Sequence, residues 1–187
     1  QPGRSNVLAE NGLVATSHPL SSIEAISILK MGGNAIDAAI AASVVQSVVE
    51  PCSTGIGGDC FAIVSMNNQK PVSINGSGIA PKKASYQFFK KNNIKKIELT
   101  SPHSVTIPGS INAWYDMHKQ FGKLEFEQLF TRGEQYARNG YPVYEVVSKV
   151  WKENESKLSQ NKFSKQIFLP NGNSPKFGEL IKNIPLA

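Results

Sequence analysis

The fold is decided by residues 32–60, which read GGNAIDAAIAASVVQSVVEPCSTGIGGDC. Asn34 is a favoured residue for capping the start of a helix, with Asp37 at the third helical position. The residues that follow are apolar on nearly all sides and rich in alanine, which predicts a buried helix that a neighbour can approach closely. Pro51 ends this helix, and a glycine-rich loop at 53–59 leads into a strand that begins at Cys60.

The segments on either side predict further helices and one β-hairpin. Upstream, Ser21 and Glu24 fit a capping box, and Gly32-Gly33 ends that helix in the left-handed conformation that glycine permits. Downstream, strands at 60–66 and 71–75 flank a turn at 67–70. Further helices are predicted at 86–91, 108–121, 125–139 and 145–160, whereas the tail at 169–187 has no strong period.

This order of elements is typical of an α+β fold, with helices packed on an antiparallel sheet. A length of 187 residues fits one domain. However, a single hairpin is only marginally stable as a sheet. We therefore expect residues 1–187 to form a single, incomplete domain. Its missing strands would come from segments of this chain that have no assigned secondary structure, or from a second polypeptide.

Composition excludes several classes of protein. Hydrophobic residues make up 40% of the chain and charged residues 18%, which excludes a disordered charged tail, a collagen-like fibre and a coiled coil. No apolar run approaches the ~18 residues of a membrane span. Residues 1–4 contain no apolar signal core. We expect a cytoplasmic protein with no membrane partner, and a signal peptide removed before residue 1 remains compatible with the sequence.

The net charge of +6 comes mainly from lysines at 82–96 and then at 149–182. Only three residues are arginine, although arginine is the residue favoured for reading base edges, and no zinc-finger spacing or aromatic RNA-binding signature is present. We interpret the lysines as a solvated surface and expect no nucleic-acid partner.

The glycine loop Gly55-Ile56-Gly57-Gly58 has three interpretations. It could wrap a phosphate, but it follows a helix and opens a strand, which is the reverse of a dinucleotide fingerprint, and no Lys-Ser/Thr pair follows it. It could be a tight turn that lets backbones approach closely. It could also line an active site, with Asp59 as the polar group.

Other common catalytic and metal-binding patterns are absent from the sequence. His18, His103 and His118 are too far apart for a metal-ligand motif, so we expect capping, packing or surface roles and no metal site. Cys52 and Cys60 lie among small or apolar residues, which predicts buried, unreactive thiols. No Gly-x-Ser-x-Gly elbow occurs.

Five ordered blocks of the chain resemble the gamma-glutamyltranspeptidase family. They are residues 11–22 (NGLVATSHPLSS), 28–39 (ILKMGGNAIDAA), 49–61 (VEPCSTGIGGDCF), 104–114 (SVTIPGSINAW), and 121–124 (FGKL) continuing to 140–143 (GYPV). The resemblance implies the N-terminal part of the large subunit of an N-terminal-nucleophile hydrolase with an αββα sandwich fold.

The same resemblance implies a mechanism and a partner. In this family a precursor cuts itself into two subunits, and the new N-terminal Thr of the small subunit is the nucleophile, with its own α-amine as base. That Thr lies outside this chain, so we assign no catalytic residue here and expect no cofactor. The expected partners are the small subunit and a γ-glutamyl or other small amide substrate.

One substrate contact of the family falls inside this chain, and its residue type is different. True glutamyl transferases carry an Arg shortly before an Ala-Pro pair, where a bidentate guanidinium binds the substrate α-carboxylate. The matching stretch here is NGSGIAP at 75–81, which places Ser77 at the Arg position. Either another residue binds the carboxylate, or the substrate is not a γ-glutamyl compound. We predict that Gly76, Ser77 and Gly78 border the acyl pocket, supported by Asp59, and that the chain is closer to the oxamate amidohydrolase-like branch.

Two functions remain open from the sequence. The first is the large-subunit portion of an amidohydrolase or acyltransferase. The second is a non-catalytic truncated homologue or fragment that packs with a partner chain. The second predicts exposed apolar surface on the helix at 35–49 and along the hairpin edge.

Overall fold

A computed structural model of the chain describes residues 5–187 as two compact units. The first comprises residues up to 54 together with 122–187, and the second comprises residues 55–121. In chain order the elements are α1 (Pro19–Lys30), α2 (Ala35–Val49), β1 (Cys60–Val64), β2 (Val72–Gly76), α3 (Tyr86–Lys91), α4 (Ser110–Phe121), α5 (Thr131–Asn139), β3 (Tyr141–Pro142), α6 (Glu145–Glu153), α7 (Glu155–Ser159), α8 (Lys162–Phe168) and β4 (Leu180–Ile181). Helices with small antiparallel sheets confirm the predicted α+β class.

Helix α2 begins as its sequence predicts. The Asn34 Oδ1 atom accepts hydrogen bonds from the backbone N–H groups of Ile36 (2.9 Å) and Asp37 (3.1 Å). In return the Asn34 N–H donates to Asp37 Oδ2 at 2.9 Å, which completes a reciprocal capping box. Eleven of the fifteen residues of α2 are buried, so it forms the core of the first unit.

The Asp37 carboxylate also holds a loop that is distant in sequence. It is fully buried and accepts hydrogen bonds from the Lys123 N–H at 3.0 Å and the Leu124 N–H at 3.3 Å. A buried charge is tolerated only when hydrogen bonds replace its lost hydration. The same carboxylate therefore fixes both the start of α2 and the segment that leads into α5.

Helix α5 packs closely against α2 because Gly133 lacks a side chain. A Cβ atom at Gly133 would lie 2.6 Å from Val44 Cγ1. The cluster that fills this unit includes Val45, Val49, Tyr141 and Trp151. The expectation of an exposed apolar surface on the helix at 35–49 is therefore wrong, because α1 and α5 cover it.

The start of α1 differs from the prediction. The helix begins at Pro19, with His18 as N-cap, whose Nδ1 atom accepts a hydrogen bond from the Leu20 N–H at 3.2 Å. Proline at the first helical position is already set to the helical φ, so the helix starts before the predicted Ser21–Glu24 capping box. Glu24 is instead buried inside α1 and pairs with Arg132 at 3.3 Å.

The C-terminal part is more broken than its periodicity indicates. The predicted helix at 125–139 is a 3-10 segment, Phe126–Phe130, followed by α5. The predicted helix at 145–160 is interrupted at Asn154, where the Asn154 side-chain amide donates to the Val150 carbonyl. The tail contributes β4, whose Ile181 pairs with Tyr141 of β3.

The two thiols are less buried than predicted. Cys52 is exposed and Cys60 is half-buried, and both are free. The prediction of a buried thiol is wrong for Cys52, because this residue follows α2 in a surface turn. Within residues 5–187, no helix has the length and apolar character required to cross a membrane.

Replacing Asp37→Asn should destabilise the first unit. The side-chain amide of Asn presents N–H groups where only acceptors are needed and removes the charge that strengthens these bonds, so we expect a loss of about 3 kcal/mol in the free energy of unfolding. Urea unfolding followed by circular dichroism measures it. Asp116→Asn is the matched control, since Asp116 is exposed and bonded to Asn112. Equal stability of the two variants would contradict this role of Asp37.

Candidate functional site

The register of the hairpin brings the predicted site residues together within the second unit. Strands β1 and β2 are antiparallel, with Cys60 opposite Gly76. Asp59 immediately precedes β1 and Ser77 immediately follows β2. The two residues therefore lie side by side at the open end of the hairpin, away from its turn at 66–69.

A short hydrogen bond joins the two segments. Asp59 Oδ1 accepts from the Gly78 N–H at 2.7 Å. The Ser77 N–H donates to Asn75 Oδ1 at 3.0 Å, which turns the chain at the end of β2. Ser77 is exposed, whereas Gly76 and Gly78 are half-buried. The structure thus brings together all four predicted residues and leaves the Ser77 side chain accessible.

A third segment, residues 106–110, packs against the segments around Asp59 and Ser77, and we call the three together the loop cluster. The sequence analysis did not predict that this third segment lies there. The Gly58 carbonyl accepts hydrogen bonds from the Gly109 and Ser110 N–H groups, both at 3.0 Å. The Ile107 N–H donates to the Ile79 carbonyl at 3.0 Å. Pro108-Gly109 signalled only the start of a helix. The signal available in the sequence was that residues 106–110 lie within one of the five blocks that resemble the family.

Glycine is required where these backbones meet. A Cβ atom at Gly78 would lie 2.1 Å from the Ile107 carbonyl oxygen, and one at Gly109 would lie 2.3 Å from the Gly76 carbonyl oxygen. By contrast, a Cβ atom at Gly55 or Gly57 would meet nothing within 4 Å. Close backbone approach therefore occurs at 76–78 and 109, rather than in the first part of the glycine loop, where a Gly58 N–H to Gly55 carbonyl bond closes a turn.

The electrostatics of the cluster favour binding rather than covalent chemistry. Asp59 is exposed and its carboxylate holds Gly78, so it supports the loop. Burial raises the pKa of the Cys60 thiol, and a hydrogen bond with Trp114 lowers it by less. The thiol is therefore protonated at neutral pH and a poor nucleophile. No group of three or more metal-ligating side chains occurs in the part of the chain that the structure describes.

Positive charge near the loop comes from lysine. The sequence has no arginine between Arg4 and Arg132, and Lys82 and Lys83 follow the loop directly after Pro81. Both lysines are exposed. An ammonium group is a point charge without the fork geometry that binds a carboxylate through two parallel bonds. At the open end of the hairpin the cluster therefore has an exposed Ser77 hydroxyl on a hydrogen-bonded backbone, with two exposed lysines a few residues further along the chain.

Comparison with known proteins identifies the family. The profile of Gamma-glutamyltranspeptidase matches residues 21–187. The chain belongs to this family. It is 34% identical to the glutathione hydrolase proenzyme of Bacillus subtilis, over 96% of this chain and 31% of that protein. It is 32% identical to the glutathione hydrolase-like YwrD proenzyme of the same organism, over 97% of this chain and 35% of that protein.

Solved structures give the same result for the gamma-glutamyltranspeptidase fold. The Helicobacter pylori gamma-glutamyltranspeptidase superposes with a TM-score of 0.90 at 29% identity, over 97% of this chain and 53% of that one. A cephalosporin acylase from Bacillus halodurans gives 0.91 at 35% identity, over 100% of this chain and 37% of that one. The family resemblance and the predicted N-terminal-nucleophile hydrolase fold are thereby confirmed. The chain spans about a third of the length of the curated relatives it matches.

Gly78→Ala should disrupt the loop cluster, whereas Gly57→Ala should not. The new methyl group at position 78 would collide with the Ile107 backbone, while the one at position 57 would meet open space. We expect Gly78→Ala to cost about 1–3 kcal/mol of stability, as other overpacked sites do. Thermal unfolding of both variants, with hydrogen exchange at Gly78 and Ile107, measures this. Similar behaviour of the two variants would rule out the close approach.

Proposed function

We propose that this chain is the first part of the large subunit of a gamma-glutamyltranspeptidase-family amidohydrolase or acyltransferase. The complete protein would cleave a γ-glutamyl or other small amide bond. Two observations support this proposal. The family profile matches most of the chain, and the relatives from Bacillus subtilis, of which this chain covers about a third, are named as proenzymes. The small subunit of the same precursor would be the partner.

The proposed reaction uses a nucleophile outside this chain. The N-terminal Thr of the small subunit would attack the amide carbonyl, with its α-amine accepting the proton. The C–N bond of the substrate breaks, the Thr α-ammonium returns the proton to the leaving amine, and the acyl group stays on the Thr oxygen as an ester. Water or an acceptor amine then attacks this ester, gives its proton to the α-amine and releases the Thr hydroxyl. No residue of this chain is assigned a chemical step, and no cofactor is required by this mechanism.

This chain would contribute a wall of the acyl pocket. The bond of 2.7 Å from the Gly78 N–H to Asp59 supports this, because it holds the loop with Ser77 accessible at the open end of the hairpin. Gly76 and Gly78 let this loop pack against Ala113 and Ile107, and Asp59 holds Gly78 through its hydrogen bond, so the backbone around Ser77 would be in place before a substrate binds. A preorganised backbone loses little conformational freedom when substrate binds.

The residue at position 77 points to the kind of substrate. A serine hydroxyl cannot neutralise a carboxylate as a bidentate guanidinium does. We infer that the substrate is a small amide whose acyl group lacks the α-carboxylate of a γ-glutamyl group, as in the oxamate amidohydrolase-like branch.

We retain the cytoplasmic location of the protein as a prediction, which cell fractionation checks.

A non-catalytic fragment is the second candidate. Phe61 and Ile63 are 69% and 78% exposed on β1, within a sheet of only two strands. Such a sheet is marginal without further strands or a covering layer. Both candidates need a partner for this surface, and they differ in whether the partner carries a catalytic Thr.

Intact mass and N-terminal sequencing of the protein made from the complete gene test the proposed function. We expect two polypeptides, the second beginning with Thr, because the family mechanism needs a free N-terminal nucleophile. Thr→Ala at that new terminus is the control and should give one uncut chain. A wild-type protein that stays uncut and is inactive on amides would favour the fragment.

Ser77→Arg should improve the use of γ-glutamyl substrates by the complete protein. A guanidinium at this position would pair with the substrate α-carboxylate, and a hydrogen-bonded charge pair is worth about 1.5–3 kcal/mol, or roughly a 10-fold or larger fall in KM. Steady-state kinetics with a γ-glutamyl anilide measures it. Ser73→Arg adds the same charge to an exposed position on β2 and is the matched control. Unchanged kinetics, or an equal gain in the control, would overturn the assignment of Ser77 to the pocket.

A further inference from the structure

The positive charge of the chain is concentrated in one short segment. Residues 82–99 contain six lysines and one glutamate, a net charge of +5 out of +6 for the whole chain. All the rest of the chain together has a net charge of only +1. The single acid, Glu98, pairs with Lys96 at 3.0 Å in an exposed contact that contributes little stability. Residues 149–182 hold seven lysines and three glutamates, a net charge of +4, so the segment at 82–99 is the denser of two basic regions of the chain.

The end of α3 folds this segment back on itself. Asn93 has a φ of +54°, the left-handed conformation that ends many helices. The Ile94 N–H donates to the Phe89 carbonyl at 2.9 Å, and the Asn93 N–H donates to the Lys90 carbonyl at 3.1 Å. These two bonds are those of a Schellman motif, in which an apolar contact joins the helix to the residue after the turn.

The fold-back creates an open groove that is lined by both apolar residues and lysines. Its volume is about 500 Å³, and Phe89 and Ile94 are among its apolar lining residues. Lys90 lies on the helix side, and Lys95 and Lys96 lie on the returning side. Lys90, Lys95 and Lys96 line one groove because of the turn at Asn93. A ligand that fits it has a negative charge and an apolar part.

Large apolar side chains beside this groove are turned towards solvent. Tyr86 is 75% exposed, Ile97 45% and Leu99 86%. Exposed large apolar side chains also occur elsewhere in the chain, so the feature that matters here is their position among the lysines. Tyrosine and aliphatic side chains interleaved with lysines are typical of surfaces that lie at the boundary between lipid headgroups and acyl chains. Nucleic acid is less well matched, because the segment contains no arginine.

We propose that this groove, together with Tyr86, Ile97 and Leu99, binds the surface of an anionic lipid bilayer. The lysines would contact phosphate groups, and the apolar side chains would enter the boundary with the acyl chains. Charge complementarity supports this choice of partner, since six lysines lie within residues 82–99 and each basic residue near an anionic bilayer surface contributes about 1 kcal/mol of attraction. The sequence-based expectation of no membrane partner rested on the lack of a spanning segment, which surface binding does not require.

Flotation of the complete protein with lipid vesicles tests this inference. The vesicles contain one part phosphatidylglycerol to three parts phosphatidylcholine, with pure phosphatidylcholine as the neutral comparison. We expect binding only to the anionic vesicles. The triple variant Lys90→Gln, Lys95→Gln, Lys96→Gln should bind on the order of 100-fold more weakly. Tyr86→Ser with Ile97→Ser should also weaken binding, because the apolar contact is lost.

The control variant loses the same charge elsewhere. Lys149, Lys165 and Lys176 are exposed lysines of the first unit, and changing all three to Gln should leave vesicle binding within a few-fold of wild type. Three outcomes would overturn the inference: no binding to anionic vesicles, an equal loss in both triple variants, or binding to a DNA duplex in place of vesicles. Because processing and amide hydrolysis are measured separately, failure here leaves the proposed function intact.

Discussion

The fully buried carboxylate of Asp37 is the interaction on which the first unit depends. It accepts hydrogen bonds from the start of α2 and from the backbone at Lys123 and Leu124, which are distant in sequence. Without these donors the buried charge would be costly, so the helix and the loop must be placed together. With the loop held in this way, α5 packs against α2, and the absence of a side chain at Gly133 permits the close contact.

The second unit uses backbone contact in place of a buried charge. The Gly58 carbonyl accepts hydrogen bonds from Gly109 and Ser110 at the start of α4, and the Gly78 N–H donates to Asp59. The backbones approach so closely that no side chain fits at positions 78 and 109. Such a cluster is rigid at little cost, because its hydrogen bonds are made within the protein before a ligand arrives. These internal hydrogen bonds support the proposal that the loop around Ser77 is a wall of the substrate pocket.

Sequence and structure contribute differently to the candidate site. Gly76, Ser77, Gly78 and Asp59 follow from the resemblance to the family, and the structure brings them together, although their role stays a prediction. The segment at 106–110 did not follow, since its bonds to Gly58 and Ile79 join residues far apart in the chain. The basic groove also could not be predicted. The lysines are visible in the sequence, but they line one groove only because the chain turns at Asn93.

By itself the sequence determined what depends on near neighbours: the Asn34–Asp37 capping box, the buried α2, the hairpin and the family. Tertiary structure decided what depends on distant partners. Ser21 and Glu24 have the spacing of a capping box, yet Pro19 and His18 start α1 earlier and Arg132 pairs with Glu24. Strand β4 forms because Ile181 pairs with Tyr141 of β3, which lies 40 residues earlier in the chain. Local bonds are encoded by spacing, whereas long-range bonds form only where folding brings the two segments together.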